Sequence, residues 1–134
     1  MQRVIHNIIV ILGLVTAGCQ AQNVSTGGVN IDVNVADFAA GIDNADNALV
    51  LDVRADAEFV SGHLNGAIQI DFYRDDFQET LSKLNMSRPV FVYCRSGNRS
   101  GKAAKQMKAL GFKEVYNLEG GIGEWARRGQ PVAK

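Results

Sequence analysis

The chain has 134 residues, enough for one domain with a single core after allowance for any removed segment. Apolar residues make up 46% of it and charged residues 21%, as in ordinary globular proteins. The 14 Lys and Arg residues balance the 14 Asp and Glu residues. A zero net charge argues against a nucleic-acid-binding protein, which needs a basic excess.

Residues 1–21 have the layout of an export signal. Arg3 supplies an early positive charge, residues 8–16 are almost wholly apolar, and small residues precede Cys19. The apolar stretch is too short for a comfortable membrane span. We therefore expect a protein that is exported from the cytoplasm.

The end of this segment, residues 16–19, resembles the lipobox of bacterial lipoproteins, in which the cysteine is lipidated after cleavage in front of it. Thr16 departs from that motif, which prefers Leu or another large aliphatic residue. The resemblance implies a lipid anchor at Cys19 that holds the protein on the periplasmic side of a bacterial membrane. The alternative is ordinary cleavage, for instance after Ala21, which would give a soluble periplasmic protein.

Residues 22–28 are polar and contain Ser, Thr and Gly, which predicts a flexible tether in front of a domain at residues 29–134. Residues 29–33 alternate between apolar and polar, as in a short strand. Asn34 is then the expected N-cap of a helix.

Residues 48–54 form an apolar run that ends with Asp52 and Arg54, as in a strand buried on both faces. The pattern continues with short helices and strands in alternation. The predicted segments are a helix at 55–60, a strand at 67–70, a helix from Asp71 to about Leu84, a strand at 90–93, a helix from about Arg99 to Leu110, a strand at 113–118 and a helix at 122–128.

This alternation predicts an α/β fold, with a mostly parallel sheet and helices on both faces. Binding sites in such folds lie at the carboxyl ends of the strands. Asp52, Asp71 and Cys94 all fall at such ends in the predicted sheet, so we expect them to meet at one rim.

Cys94 stands where an apolar strand gives way to a short polar loop and a helix start. Since Cys19 is either lipidated or removed, Cys94 lacks a disulfide partner and is a free thiol in an oxidising compartment. A helix N-terminus and the neighbouring Arg95 and Arg99 would lower its pKa from ~8.5 to roughly 3.5–7.5. Gly97 lets the loop curl with its N–H groups inward, which predicts an anion-binding cradle.

Residues 94–100 resemble the active-site loop of the rhodanese family, the single-domain sulfurtransferases. Further matches follow in order at residues 51–54, 58–59, 62–68 and 118–121 with Trp125. The resemblance covers about residues 29–131. It implies a five-stranded, mostly parallel sheet flanked by helices on both faces.

The resemblance also implies a mechanism, with Cys94 as the nucleophile that carries a persulfide. The small anionic donor would be thiosulfate or another sulfane sulfur compound, and neither a metal nor an organic cofactor is implied. The acceptor would be cyanide in an assay and an unidentified thiol or protein in the cell. The loop residues expected to bind the donor are Arg95, Ser96, Gly97, Asn98, Arg99 and Ser100.

Two other functions stay open. Cysteine phosphatases, and arsenate reductases of related fold, carry Cys-x5-Arg, whereas Cys94 and Arg99 form Cys-x4-Arg. The shorter loop resembles those that fit a sulfur atom rather than phosphate. The second alternative is a non-catalytic rhodanese-like binding module, although such domains commonly lack the cysteine.

Several residues outside the loop are expected to support it. Asp52 and Arg54 are predicted to form an ion pair that fixes the loops near the site, with direct substrate contact as the alternative. Glu58 is expected to pair with a nearby cation such as Arg54. His63 is expected to pack or cap a loop. Asp71 is expected to cap a helix, with a position at the rim of the site as the alternative.

Overall fold

The computed structural model describes residues 28–134, so the expected export signal, Cys19 and nearly all of the tether lie outside the described residues. Strands and helices alternate along the described chain. The strands are β1 (Val29–Val33), β2 (Leu49–Asp52), β3 (Ile68–Gln69), β4 (Val90–Tyr93) and β5 (Glu114–Leu118). The helices are α1 (Val35–Asn44), α2 (Asp56–Ser61), α3 (Phe77–Ser82), α4 (Asn98–Leu110) and α5 (Gly121–Arg127).

The strands form one five-stranded sheet in the order β1-β5-β4-β2-β3. All neighbouring strands run parallel, which confirms the predicted fold class. β2 and β4 are adjacent, with Asp52 beside Tyr93 in the register. Arg54 and Cys94, which follow these strands, therefore leave the sheet at the same edge.

Side chains of the central strands point alternately to the two faces of the sheet, and each face has its own core. On one face, Leu51 and Val92 pack with Leu81 of α3 and Met107 of α4. The base of the Cys94 loop belongs to this core. The sulfur is thereby shielded from bulk water by apolar side chains.

The other core lies beneath α1 and α5. Phe91 and Tyr93 of β4 pack there with Phe38 and Trp125. The ring of Phe38 meets those of Phe91 and Trp125 edge to face, with centroids 5.4 and 6.1 Å apart. Trp125 is thus a core residue, as its position in a short terminal helix predicts.

Local signals explain most of the helix boundaries. The Asn34 side chain accepts a hydrogen bond from the Asp37 N–H at 2.9 Å, so the predicted N-cap of α1 is confirmed. α4 has 13 residues and ends at Leu110; Gly111, which follows it, is left-handed with φ 109°. Among residues 28–134, no helix combines the length and the apolar character that a membrane crossing requires.

The prediction of a helix from Asp71 is wrong, because α3 begins only at Phe77. The Asp71 carboxylate accepts a hydrogen bond from the N–H of Tyr73 at 2.9 Å. Arg74 and Asp76 form a further local pair. Such local bonds offer the backbone an alternative to the helix, and residues 71–76 form turns instead.

Candidate active site

Cys94 directly follows β4, and α4 begins four residues later at Asn98. Cys94 is 1% exposed, and its thiol is free. The N-terminal turn of α4 therefore stands beside the sulfur. Unpaired N–H groups and the helix dipole favour negative charge at such a position.

Two hydrogen-bond donors reach the Cys94 sulfur directly. The Gly97 N–H lies 3.1 Å from Sγ, and the Ser100 hydroxyl lies 3.3 Å from it. Ser100 is itself fully buried. A sulfur that accepts hydrogen bonds from fixed donors is stabilised as a thiolate rather than as a thiol.

The surroundings of Cys94 act on its pKa in opposite directions. Burial raises the pKa of the thiol. Hydrogen bonds from the Ser100 hydroxyl and from the N–H groups of Ser100, Ser96 and Gly97 outweigh burial, so the pKa of Cys94 lies below its ordinary value. The fraction of reactive thiolate at neutral pH is accordingly larger than for a free cysteine.

Gly97 gives the loop its curvature. Its φ of 97° is left-handed, a conformation that L side chains rarely adopt. A Cβ atom at this position would also approach the Leu118 carbonyl oxygen to 3.2 Å and the Gly120 nitrogen to 3.4 Å. Both conditions explain why glycine stands where the loop turns around the sulfur.

The start of α5 holds the same loop from outside. The N–H groups of Ile122 and Gly123 donate to the carbonyls of Cys94 and Arg95 at 2.9 and 3.3 Å. In a trans peptide the carbonyl and the N–H point in opposite directions. With its carbonyls tied to α5, the loop turns its own N–H groups toward the sulfur.

Gly121 makes this close approach possible. A Cβ atom there would lie 2.5 Å from the carbonyl oxygens of both Cys94 and Arg95. No side chain fits in that space without displacing backbone. The adjacent glycines at 120 and 121 predict a sharp turn, but nothing in the sequence alone shows that the turn touches the loop.

Arg99 forms a bidentate pair with Glu58 of α2, with both N···O distances at 2.9 Å. Glu58 thus pairs with a nearby cation as predicted, but the cation is Arg99 rather than Arg54. The bonds from Arg99 lower the pKa of Glu58 to about 2, against a smaller effect of burial. Arg99 thus fastens α2 to the first turn of α4, next to the sulfur but not hydrogen-bonded to it.

Asp52 and Arg54 form the expected ion pair, with Nη2 and Oδ2 2.7 Å apart. Arg54 also donates to the Gly62 carbonyl at 2.6 Å, and its own carbonyl accepts from Gln69 at 2.7 Å. The pair ties the segment after β2 to the segment around Gly62. Both side chains are buried and face each other, an arrangement that supports loops rather than one that contacts a substrate.

A Rhodanese-like domain family model matches residues 34–128. A sulfurtransferase of Allochromatium vinosum is 35% identical over 89 residues, which cover 66% of this chain and 81% of that protein. The chain belongs to the rhodanese-like domain family.

A solved rhodanese-related protein from Thermoplasma volcanium superimposes on this rhodanese-like chain with a TM-score of 0.67 and 32% identity. The superposition covers 76% of this chain and 96% of that one. A tRNA uridine(34) hydroxylase of Salmonella paratyphi B is 35% identical over 100 residues, which make up 72% of this chain but 28% of that enzyme. The same domain therefore also occurs inside a much longer protein with another named activity.

Only some of the loop residues predicted for this rhodanese-like domain contact the Cys94 sulfur. Gly97 and Ser100 meet the sulfur, and Ser96 contributes through its backbone. Arg95 and Asn98 have exposed side chains at the mouth of the loop. The cradle is thus built mainly from backbone groups and a single buried hydroxyl.

The remaining prediction near the site concerns His63. The His63 ring stacks on Phe59 with centroids 3.9 Å apart, and its Nδ1 lies 3.0 Å from the Phe59 carbonyl oxygen. It packs a loop, as expected. Within residues 28–134 there is no group of three or more His, Cys, Asp or Glu side chains arranged to hold a metal ion.

Proposed function

We propose that this protein is a sulfurtransferase that moves sulfane sulfur through a persulfide on Cys94. The observation that carries the proposal is a buried thiol whose pKa is lowered by donors aimed at its sulfur. The sulfurtransferase relative from Allochromatium vinosum supports the same reaction class. Thiosulfate is the donor we favour, because its charge and its terminal sulfur suit an N–H cradle.

The first half-reaction loads the enzyme. The Cys94 thiolate attacks the outer sulfur of thiosulfate, and a bond forms between Sγ and that sulfur. The bond between the outer sulfur and the sulfite sulfur breaks, and sulfite leaves with the electron pair. The negative charge then rests on the terminal sulfur of the persulfide, where the loop N–H groups stabilise it.

The second half-reaction unloads it. A thiophilic acceptor, cyanide in an assay or a thiolate in the cell, attacks the terminal sulfur. The sulfur–sulfur bond breaks, and its electron pair returns to Cys94 as the thiolate. Atoms and charges balance without a further oxidant or reductant, and the two separated steps predict ping-pong kinetics.

Arg95 is the residue we assign to capture of the donor. Its side chain is exposed at the mouth of the loop, whereas Arg99 is already paired with Glu58. A free guanidinium raises the local concentration of anions and orients them. Arg99 then holds α2 against the loop and adds a positive charge near the Cys94 thiolate.

The experiment that tests the proposal is mass spectrometry of the purified protein before and after treatment with thiosulfate. We expect a gain of one sulfur atom on the Cys94 peptide, lost again on addition of cyanide with formation of thiocyanate. Cys94→Ser should fold normally, gain no sulfur and lack thiosulfate:cyanide activity.

The alternatives give different results in the same preparation. Hydrolysis of a phosphate monoester without any gain of sulfur would support a cysteine phosphatase. Absence of both reactions would support a binding module. Full activity of Cys94→Ser would refute the assignment of the nucleophile.

We also propose that the protein is exported and anchored through a lipid on Cys19. The support comes from the apolar segment at residues 8–16 and from the lipobox-like residues 16–19. Palmitate labelling in a bacterial host should be present in the native chain and lost in Cys19→Ala. Unlabelled native chain in the periplasmic fraction would instead indicate ordinary cleavage.

A further inference from the structure

Asn117 lies in β5 and is 4% exposed. Its Nδ2 donates to the Asp32 carboxylate of β1 at 2.9 Å and to the Gly97 carbonyl at 3.2 Å. One side chain thereby connects the edge strand, its neighbour in the sheet and the loop around Cys94. With both bonds made, the amide is fixed in one orientation.

Asn117 contacts Gly97, the loop residue whose backbone N–H donates to the Cys94 sulfur. Gly97 places its N–H 3.1 Å from the Cys94 sulfur, and it lacks the side chain that restricts backbone torsions in other residues. Its carbonyl accepts from the Gly101 N–H, 3.0 Å away, and from Asn117. These bonds restrain the torsions that set the direction of the N–H.

Space for the amide is provided by α4. A Cβ atom at Gly101 would lie 3.3 Å from Asn117 Nδ2, closer than most such contacts. Glycine at position 101 lets the Asn117 amide lie between β5 and the first turn of α4. Gly101 thus leaves room for the hydrogen bond from Asn117 to the Gly97 carbonyl.

Asn117 also carries a cost that an apolar residue would avoid. Its Oδ1 is buried and has no hydrogen-bond partner among residues 28–134. An unsatisfied buried acceptor destabilises a fold, because it has lost its hydrogen bonds to water without gaining others. Packing alone is therefore a poor reason for asparagine at a position that leucine fills without a polar atom.

We propose that Asn117 is a positioning residue, which holds Gly97 so that its N–H faces the Cys94 sulfur. Asn117 does not itself touch the sulfur. The proposal deepens the proposed function, because the N–H that it aims is one that would bind the thiolate and the persulfide. Asp32 orients the amide from its other side.

The test uses the purified full-length chain with Asn117→Leu, which removes the amide and the unsatisfied oxygen together. We expect the melting temperature of this variant to equal or exceed that of the native chain. The pH profile of Cys94 alkylation by iodoacetamide, followed on the Cys94 peptide, should move to higher pH. Loading of sulfur from thiosulfate should slow by roughly 10- to 100-fold, as expected for a misplaced catalytic group.

Two further variants complete the experiment. Val35→Ala, in the core beneath α1, is the control for loss of stability; it should lower the melting temperature and leave the alkylation profile unmoved. Asp32→Ala changes an exposed side chain and should move the profile in the same direction as Asn117→Leu, but less.

A native alkylation profile in folded Asn117→Leu would overturn the proposal. If that variant fails to fold, a native profile in Asp32→Ala would overturn it equally. The outcome is separate from that of the proposed function. A native chain that gains no sulfur from thiosulfate would refute sulfur transfer, while the alkylation profiles would still decide the role of Asn117.

Discussion

Two carboxylate–guanidinium pairs lie near the carboxyl edge of the sheet, and they differ in burial and in what they join. Asp52 and Arg54 are two residues apart, and their side chains are 0% and 5% exposed. Glu58 and Arg99 are 41 residues apart, and their side chains are 33% and 18% exposed. The chemistry of the pairs is the same, but their surroundings give them different roles.

The buried pair belongs to the scaffold. Arg54 has further partners in the Gly62 carbonyl and in the ring of Tyr93, 5.6 Å from its guanidinium carbon. The partly buried pair of Glu58 and Arg99 borders the site and joins α2 to the first turn of α4, which follows the nucleophile. Loss of the Asp52–Arg54 pair should therefore lower the free energy of unfolding. Loss of Arg99 from the second pair should mainly slow the reaction at Cys94.

The largest effect is expected from Asp52→Ala, which leaves the Arg54 charge buried without its partner. Loss of one partner of a buried pair lowers the free energy of unfolding by about 3–5 kcal/mol. Urea unfolding followed by circular dichroism measures this. Glu58→Ala is the matched control and should lose no more than about 1 kcal/mol. Equal losses in the two variants would contradict the assignment of roles.

An intermediate effect is expected from Arg99→Gln. The positive charge of Arg99 interacts favourably with the Cys94 thiolate, and at such a site one charge contributes on the order of 1 kcal/mol. Sulfur loading should slow by up to about tenfold, and the alkylation profile of Cys94 should move to higher pH. Stopped loading reactions analysed by mass spectrometry give the rate.

The control for this variant is Arg128→Gln, which removes an exposed arginine that is likewise paired with a glutamate, Glu124. It should leave both the loading rate and the alkylation profile at native values. An equal slowing in Arg128→Gln would show that general surface charge, rather than the position of Arg99, governs the reaction.

The smallest effect concerns the pH dependence of stability. The pKa of Glu58 is lowered from 4.5 to about 2, so its contribution is fully present above pH 4.5 and is lost as the pH falls through 2. Glu58→Gln should therefore be less stable than the native chain near neutral pH, by no more than about 1 kcal/mol. The difference should vanish at the acid end of the range.

Thermal unfolding scans between pH 2 and pH 7 measure this convergence. Glu79→Gln is a useful comparison, because Glu79 forms only an exposed pair with Lys83. At neutral pH it should lose no more than about 0.5 kcal/mol of unfolding free energy. A difference between Glu58→Gln and the native chain that stays the same from pH 7 to pH 2 would contradict the lowered pKa of Glu58.

Much of the fold follows from the sequence because its signals are local. Apolar runs of β-branched residues mark the buried strands, and Asn34 marks a helix start through its own side chain. The two predictions that differ from the structure, the helix start at Asp71 and the partner of Glu58, fail for different reasons. Asp71 makes a turn that a helical pattern conceals. Glu58 finds its partner in Arg99, which lies far away in sequence.

The candidate site shows the same division. The loop at residues 94–100 is contiguous, so its nucleophile and its backbone cradle can be predicted from sequence. Asn117 and the turn at Gly121 reach the loop only because β5 lies beside β4 in the sheet. That order of strands is a property of the folded chain and has no signature in either segment alone.

The anchoring of the Cys94 and Arg95 carbonyls by Ile122 and Gly123 has a consequence for the order of events during synthesis. The residues that hold the loop are made after the loop itself, on the last helix of the described chain. Until that helix docks, the carbonyls of Cys94 and Arg95 lack these two donors, and the loop is held at fewer points. The complete arrangement of the loop around Cys94 therefore depends on a segment that is synthesised more than twenty residues after the nucleophile.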